Sequence, residues 1–279
     1  MKIVVSVLFI LMLIAGSVAF ADDGVNSGSG QSGVTLSLGY DGAHMHYSET
    51  VNDKFLDKDT GWLNGGIAEA RYDNHYFFVR ANFDGVGSDS AKYTGSLQNG
   101  TPITMTTRER IYTGEMDAGY KLVNQSTATL SPYLGIGYRD WIRGVDALPD
   151  YKEKYTWWFG ALGANYAWKL SKWTVGLDAA LVLPFSMKME TDTAGLFDNA
   201  TFKIKSRLGF KAELPVMYDF YSVKSMKIFA FGTPYYERWN IGQSPDVILT
   251  QGGVPVAQAL EPKSSTDMFG IRVGVGVNF

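Results

Sequence analysis

The closing stretch of the chain, Phe269-Gly270-Ile271-Arg272-Val273-Gly274-Val275-Gly276-Val277-Asn278-Phe279, alternates without a break. Every odd position is Phe, Ile or Val and every even one Gly, Arg or Asn, so the apolar side chains share one face of a strand. The same period recurs upstream. Val34, Leu36, Leu38 and Tyr40 stand opposite Thr35, Ser37, Gly39 and Asp41. Past Gly42 the apolar positions change parity, which predicts a bulge that lets Met45 and Tyr47 continue the apolar face. Ala68, Ala70 and Tyr72 then oppose Glu69 and Arg71, and Phe77, Val79, Ala81 and Phe83 oppose Arg80, Asn82 and Asp84. Tyr112, Met116, Ala118 and Tyr120 oppose Thr113, Glu115, Asp117 and Lys121; Leu134, Ile136 and Tyr138 oppose Tyr133, Gly135 and Arg139. A strand ending in Leu162, Ala164, Tyr166 and Trp168 precedes one with apolar odd positions from Trp173 to Phe185, set against Thr174, Gly176 and Asp178. Next, Phe202, Ile204, Leu208, Phe210, Ala212 and Leu214 face away from Lys203, Lys205, Arg207, Lys211 and Glu213. Over roughly 227–239 the phase is ambiguous, and Ala230 and Gly232 suit a crowded interior better than Phe229 and Phe231.

These segments predict ten strands, with eight or twelve if strand nine or one long loop divides differently. Short turns (Asp73-Asn74-His75, Asn124-Gln125-Ser126, Lys169 to Lys172, Tyr221 to Ser225) alternate with long loops at 48–61, 85–107, 143–153, 188–200 and 241–265. That asymmetry is expected of an all-β, antiparallel up-and-down transmembrane β-barrel, with short turns on one side and long loops on the other. A water-soluble β-sandwich would share the strand spacing but has no need of one-sided loops.

The first residues change the picture next. Met1-Lys2, an apolar run from Ile3 to Ile14 and Ala19-Phe20-Ala21 before Asp22 make a secretory signal over residues 1–21. The run is too short for a membrane-spanning helix, which needs roughly 20 residues. Residues 22–32, rich in Gly, Ser and Asp, are expected as a flexible periplasmic leader, leaving 33–279 for the barrel. Without its signal the chain carries 24 basic and 28 acidic side chains, a net charge of −4, and no basic cluster that points to nucleic acid. There is no cysteine, hence no disulfide, lipoprotein anchor or thiolate metal site. Glycine (31) and aromatics (16 Tyr, 16 Phe, 7 Trp) are abundant, as a crowded lumen and interfacial girdles require. Tyr72, Tyr76, Trp168, Trp173, Tyr218 and Tyr221 lie by the short turns. Tyr138, Trp141, Tyr155, Trp157, Trp158, Tyr235, Tyr236 and Trp239 lie toward the long loops, giving two expected belts.

The closing strand and its terminal Phe279 resemble those of bacterial outer-membrane β-barrels. The resemblance implies export to that membrane, Phe279 as a signal to the barrel-assembly machinery, and lipid and lipopolysaccharide as neighbours. In size, predicted strand number and closing Phe the chain is similar to the omptins, surface proteases with an acidic pair and a His–Asp pair at the outer rim. His44 and His46, in strand one, stand without an Asp-x-His pair of that kind. In pattern it also resembles the small barrels of the opacity-protein and OmpX-like type.

The inward set is expected to comprise Glu69, Arg71, Arg80, Asp84, Glu115, Asp117, Arg139 and Asp178 from the first seven strands. Lys203, Lys205, Arg207, Lys211, Glu213 and Arg272 complete it. Opposite charges paired across a small lumen imply a plug, since aqueous channels use 16–18 strands. A narrow path for polar or anionic solutes beside Lys203, Lys205, Arg207 and Lys211 is the alternative. His44 and His46, two apart on a strand, share a face and are the candidates for a rim hydrolase, with Ser48 nearby. Two histidines without a third ligand fall short of a metal site, and no cofactor is implied. Arg108 and Arg110 continue the outward phase of strand four above its apolar band, the spacing for lipopolysaccharide contact. The reading is a non-enzymatic barrel that displays loops at the cell surface for a structural or adhesive role or an envelope partner.

Overall fold

A computed structural model describes residues 32–96, 101–145 and 148–279. The predicted signal and all of the leader but Ser32 lie outside the described residues. The wall begins with β1 (Gly33–Val51), β2 (Lys54–Asp73), β3 (Phe77–Ser96) and β4 (Pro102–Tyr120). The two-residue β5 (Val123–Asn124) pairs beside β6 (Ala128–Val145), and β7 (Leu148–Leu170) and β8 (Trp173–Thr193) follow. The eighth wall strand is broken into β9 (Ala200–Lys203), β10 (Gly209–Glu213) and β11 (Val216–Val223), all three pairing with β8. Then come β12 (Met226–Ile241), a separate hairpin of β13 (Val247–Gln251) and β14 (Val254–Ala259), and β15 (Lys263–Asn278). β15 pairs with both β12 and β1, so the antiparallel sheet closes into a barrel of ten strands, the number expected.

Closure pairs both edges of the wall's long strands, leaving only pieces off the closed path such as β9 paired on one side, and it lets inside and outside differ. On the outside, Leu38, Leu134, Leu162, Leu181 and Val275 belong to a continuous exposed apolar band. Its upper edge carries an aromatic on nearly every strand: Tyr40, Trp62, Tyr112, Tyr138 and Trp158, then Phe185, Phe210, Tyr236 and Phe269. Its lower edge carries Tyr76, Tyr120, Trp168, Trp173 and Tyr221, beside the short turns. This is the surface of a transmembrane barrel, apolar between two girdles.

Above the upper girdle the two faces exchange character. Along β1, Leu38 and Tyr40 point out, and so do His44, His46 and Ser48; Asp41, Ala43, Met45, Tyr47 and Glu49 point in. The register with β15 runs unbroken from Thr35 to Thr50, so the expected bulge after Gly42 does not exist. The period of two continues while hydrophobicity changes sides. The barrel stands in two storeys: a lower one apolar outside and polar inside, and an upper crown polar outside and apolar inside. Strand residues rise about 3.3 Å each, and strands of about twenty residues are far longer than the 9–11 that cross a bilayer.

The crown accounts for the five expected long loops, because most of their residues are strand. Between β1 and β2 only Asn52 and Asp53 turn, both at positive φ (51° and 60°), a tight two-residue hairpin. Residues 85–96 and 102–107 are ladder, as are 143–145, 148–153 and 188–193. The short turns match expectation. Asn74 Oδ1 accepts from the backbone N–H of Tyr76 and Phe77, both at 2.8 Å, and so closes the first of them.

The phase of β12 resolves against expectation. Phe229 and Phe231 point inward and Ala230 and Gly232 outward. Glycines on the inner face of β1 and β15 make this possible: Gly39 and Gly274 abut the Phe231 ring, and Gly276 abuts Phe229. The aromatic belts are corrected for the same reason. Tyr138, Trp158 and Tyr236 do face outward, but Trp141, Tyr155, Trp157, Tyr235 and Trp239 fill the interior.

Candidate functional site

The lower interior is a polar vestibule of about 1900 Å³, lined from Gly33, Asp73, Lys121 and Phe279 at the short-turn end up to Arg80, Lys211 and Arg272. Its upper boundary is a layer of ion pairs across the lumen. Arg80 Nε donates to Asp117 Oδ2 and Arg80 Nη1 to Asp178 Oδ2, each at 2.9 Å, and Tyr133 donates to Asp178 Oδ1 at 2.6 Å. Lys211 pairs with Glu115. Arg272 bridges Asp41 at 3.1 Å and Glu213 at 2.6 Å. Arg139 binds Glu237 at 2.9 Å. Arg71 and Lys121 share Asp73 at 2.6 and 2.9 Å, Glu69 lines the vestibule, and Asp84 faces Arg272 and Arg139. Opposite charges in such a layer lower each other's burial cost.

Above that layer the lumen is filled. Met45, Leu63, Ile111, Trp141, Phe159 and Trp239 are at most 1% exposed and belong to one packed cluster. Trp239 makes an edge contact with Phe159 at 5.0 Å between centroids, and Trp141 stacks on Tyr155 at 4.9 Å.

Within the crown one cation faces a ring of acids. Arg143 approaches Asp59 at 3.1 Å, Glu153 at 3.3 Å, Glu49 at 3.6 Å and Glu109 at 3.8 Å. Asp57 and Glu261 complete the cluster. Trp141 Nε1 donates to Glu109 Oε2 at 2.6 Å, Tyr47 to Glu49 at 2.5 Å and Thr107 to Asp59 at 2.7 Å. Tyr93 donates to Asp57 at 3.1 Å, and Tyr155 to Glu261 at 2.8 Å. Burial, only partly offset by Arg143, pushes Glu109 up to about 8 and Glu49 up to about 7. Asp57 is raised by the same desolvation, and Glu261 is raised well above the carboxylate range with Glu49 and Glu153 adding to its burial. Glu109 is therefore held protonated at neutral pH, and Arg143 is the cation that these acids share.

The expected inward set is brought together except on the broken strand. Lys203, Lys205 and Arg207 point outward and are exposed, while Phe202 and Ile204 on the same stretch are buried in the crown. The reversal has two causes. This segment belongs to the upper storey, where apolar residues go in, and pairing breaks between β9 and β10, so the phase resets before Lys211 and Glu213 turn inward. No path beside Lys203, Lys205 and Arg207 can run through the lumen.

His44 and His46 lie on the outer wall, His44 edge-on to Trp62 at 5.3 Å, and do not converge with the crown acids. His75 lies in the opposite rim, beside Asn124. Arg108 and Arg110 face outward above Tyr112, with Arg110 paired to Asp89 and donating at 2.8 Å to the Ser88 carbonyl. Phe279 is exposed at the vestibule end, its N–H donating to the Val34 carbonyl at 2.9 Å. The sequence reading missed the Arg143 cluster and the pairing of Glu237. Parity could have found them: Glu109 shares the phase of Glu115 and Asp117, and Arg143 that of Arg139.

No protein-family model matches the sequence, and no curated protein matches it. Solved structures do. The outer-membrane protease OmpT of Escherichia coli superposes with a TM-score of 0.58 at 9% identity, covering 91% of this chain and 99% of that one. OprG, an outer-membrane protein of Pseudomonas aeruginosa, gives 0.45 at 9% identity over 90% and 98%. Ail, the attachment invasion locus protein of Yersinia pestis, gives 0.34 at 10% over 89% and 99%. At such identities the likeness is one of architecture: the chain has the fold of bacterial outer-membrane β-barrels.

Proposed function

We propose that the chain is a non-conducting protein of the bacterial outer membrane whose crown stands above the bilayer as a rigid surface for partners outside the cell or in the envelope. Residues 1–21 act in this reading as the export signal, Phe279 as the mark for the assembly machinery, and the vestibule opens to the periplasm. The observation that carries it is the filled crown, in which Met45, Leu63 and Phe159 have no exposed surface. Sealing a barrel at one end with an aromatic core forbids diffusion, whereas a display surface gains from a core that keeps it rigid. Single-channel recording in planar bilayers tests it: the folded protein is expected to be silent, and steady unitary currents would refute the reading.

The vestibule favours a second reading, a narrow solute path gated by the crown. Trp239→Ala with Phe159→Ala removes two of the largest rings in the seal. Currents in that variant against a silent parent would support a gate, and silence in both would remove it. Proteolysis, the activity of the OmpT neighbour, gains no support from the geometry: His44 and His46 face away from the crown's buried acids, Asp267 across from His46 is held by Tyr236 and Arg238, and His75 is at the far rim.

A further inference from the structure

The stretch that turned outward leaves a cationic patch with no anion. Lys203, Lys205 and Arg207 are exposed, and their side chains have no partner among the described residues. The nearest carboxylate in the ladder, Glu190, is occupied by Lys188 at 2.6 Å, and Lys188 itself stands opposite Lys203. Like charges on neighbouring positions repel. By contrast, the outward-facing Arg110 of β4 is paired with Asp89.

Directly below the patch the apolar band is hollowed. Ala164, Ala179 and Ala212 lie side by side across β7, β8 and β10, all facing outward. The row above them, Leu162, Leu181 and Phe210, is bulky. The small row makes an external apolar groove of about 600 Å³. It starts at Leu208, the residue after Arg207, so cations and groove are continuous along the chain.

We propose that this face binds one lipopolysaccharide molecule of the outer leaflet, with an acyl chain in the alanine groove and a headgroup phosphate over Lys203, Lys205 and Arg207. The two parts match the two halves of that ligand. Burying an acyl chain on apolar wall is favourable in proportion to area, Arg207 can grip a phosphate with two N–H groups, and the lysines act as point charges. Five residues, at most roughly 16 Å of extended chain, separate Arg207 from Ala212, a span within the length of one acyl chain and its headgroup. The inference rests on the outer-membrane reading above.

The test uses the full barrel folded in phosphatidylcholine nanodiscs, with folding followed by heat-modifiable gel migration. Lipid A, phosphatidylglycerol and an acyl-free glucosamine phosphate are titrated in, and bound lipid is counted by native mass spectrometry. Lipid A is expected to bind the parent and Arg108→Ala/Arg110→Ala alike. Lys203→Gln/Lys205→Gln/Arg207→Gln should weaken it roughly 100-fold. Ala179→Leu/Ala212→Leu, which fills the groove and leaves the charges, should weaken it about tenfold. Undiminished binding in the triple variant overturns the proposal, as does loss in the Arg108/Arg110 variant instead. Equal affinity for phosphatidylglycerol would mean a generic anionic-lipid patch, and equal affinity for the acyl-free sugar would leave the groove without a role; either outcome also overturns it. A parent chain that never inserts into bilayers sinks the outer-membrane reading, which is a separate failure.

Discussion

Replacing Arg143 by Met should loosen the crown in a pH-dependent way while the membrane storey stays folded. The guanidinium is within 3.1–3.8 Å of four carboxyl groups, those of Asp59, Glu153, Glu49 and Glu109. Removing one partner of a buried ion pair costs about 3–5 kcal/mol, because the other charge stays buried. Here the acids have an escape, since they can take up protons. In the parent, burial has already raised Glu109 from 4.5 to about 8 and Glu49 from 4.5 to about 7. A carboxyl whose folded value lies above its unfolded one stabilises the fold most below the unfolded value, and that stability is lost as pH rises through the folded value. At about 1.4 kcal/mol per unit, ionising Glu109 in place by pH 9 costs on the order of 5 kcal/mol. Without Arg143 both values move higher. The variant should therefore stay close to the parent at pH 5, where Glu49 and Glu109 are neutral, and fall furthest below it near pH 9. The assay is hydrogen exchange of the crown amides, those of Trp141 and Arg143 included, in micelles at pH 5, 7 and 9, corrected for intrinsic rates. A loss of about 3 kcal/mol speeds opening roughly 100-fold. Protection that is the same in both proteins at pH 9, or a larger deficit at pH 5 than at pH 9, would refute the reasoning.

Other consequences are simpler to read. Arg272→Met strands Asp41 and Glu213 in the lumen and should cost about 3–5 kcal/mol in guanidinium unfolding from micelles; a change under about 1 kcal/mol would mean the layer contributes little. Leu38→Lys puts a charge on the apolar band and should cost about 2–4 kcal/mol, whereas His46→Lys, above the girdle on the same face, should stay within about 0.5 kcal/mol. Equal penalties at the two sites would displace the boundary between the storeys.

The lower storey was legible because each of its strands carries apolar residues at one parity and polar ones at the other, which predicts both the strand and its orientation. Glu69, Arg80, Asp117, Asp178 and Arg272 were placed inward from that signal alone, and so they stand. The crown was not legible by the same rule. There the outward positions are His44, His46, Lys58 and Thr60, and the apolar ones are inward, as in a soluble barrel. A reader who expects apolar residues always to face out must invent a bulge at Gly42 or end the strand in a loop. Parity continued past the girdle would have carried β1 to Val51 and revealed Met45, Tyr47 and Glu49 as interior. On the eighth strand even parity fails, because the break between β9 and β10 resets the phase and no residue pattern between Lys203 and Leu208 announces it. The inward rings of Phe229 and Phe231 were missed because the glycines that admit them, Gly39, Gly274 and Gly276, lie on other strands.

The exchange of faces at the girdle can be tested directly, because the chain has no cysteine of its own. Single cysteines at His44, Met45, His46 and Tyr47 would be exposed to a membrane-impermeant maleimide on the folded protein in liposomes. A two-storey barrel requires labelling at 44 and 46 and protection at 45 and 47 until the protein is denatured. Labelling at 45 and 47 with protection at 44 and 46 would contradict it, and so would equal labelling of all four.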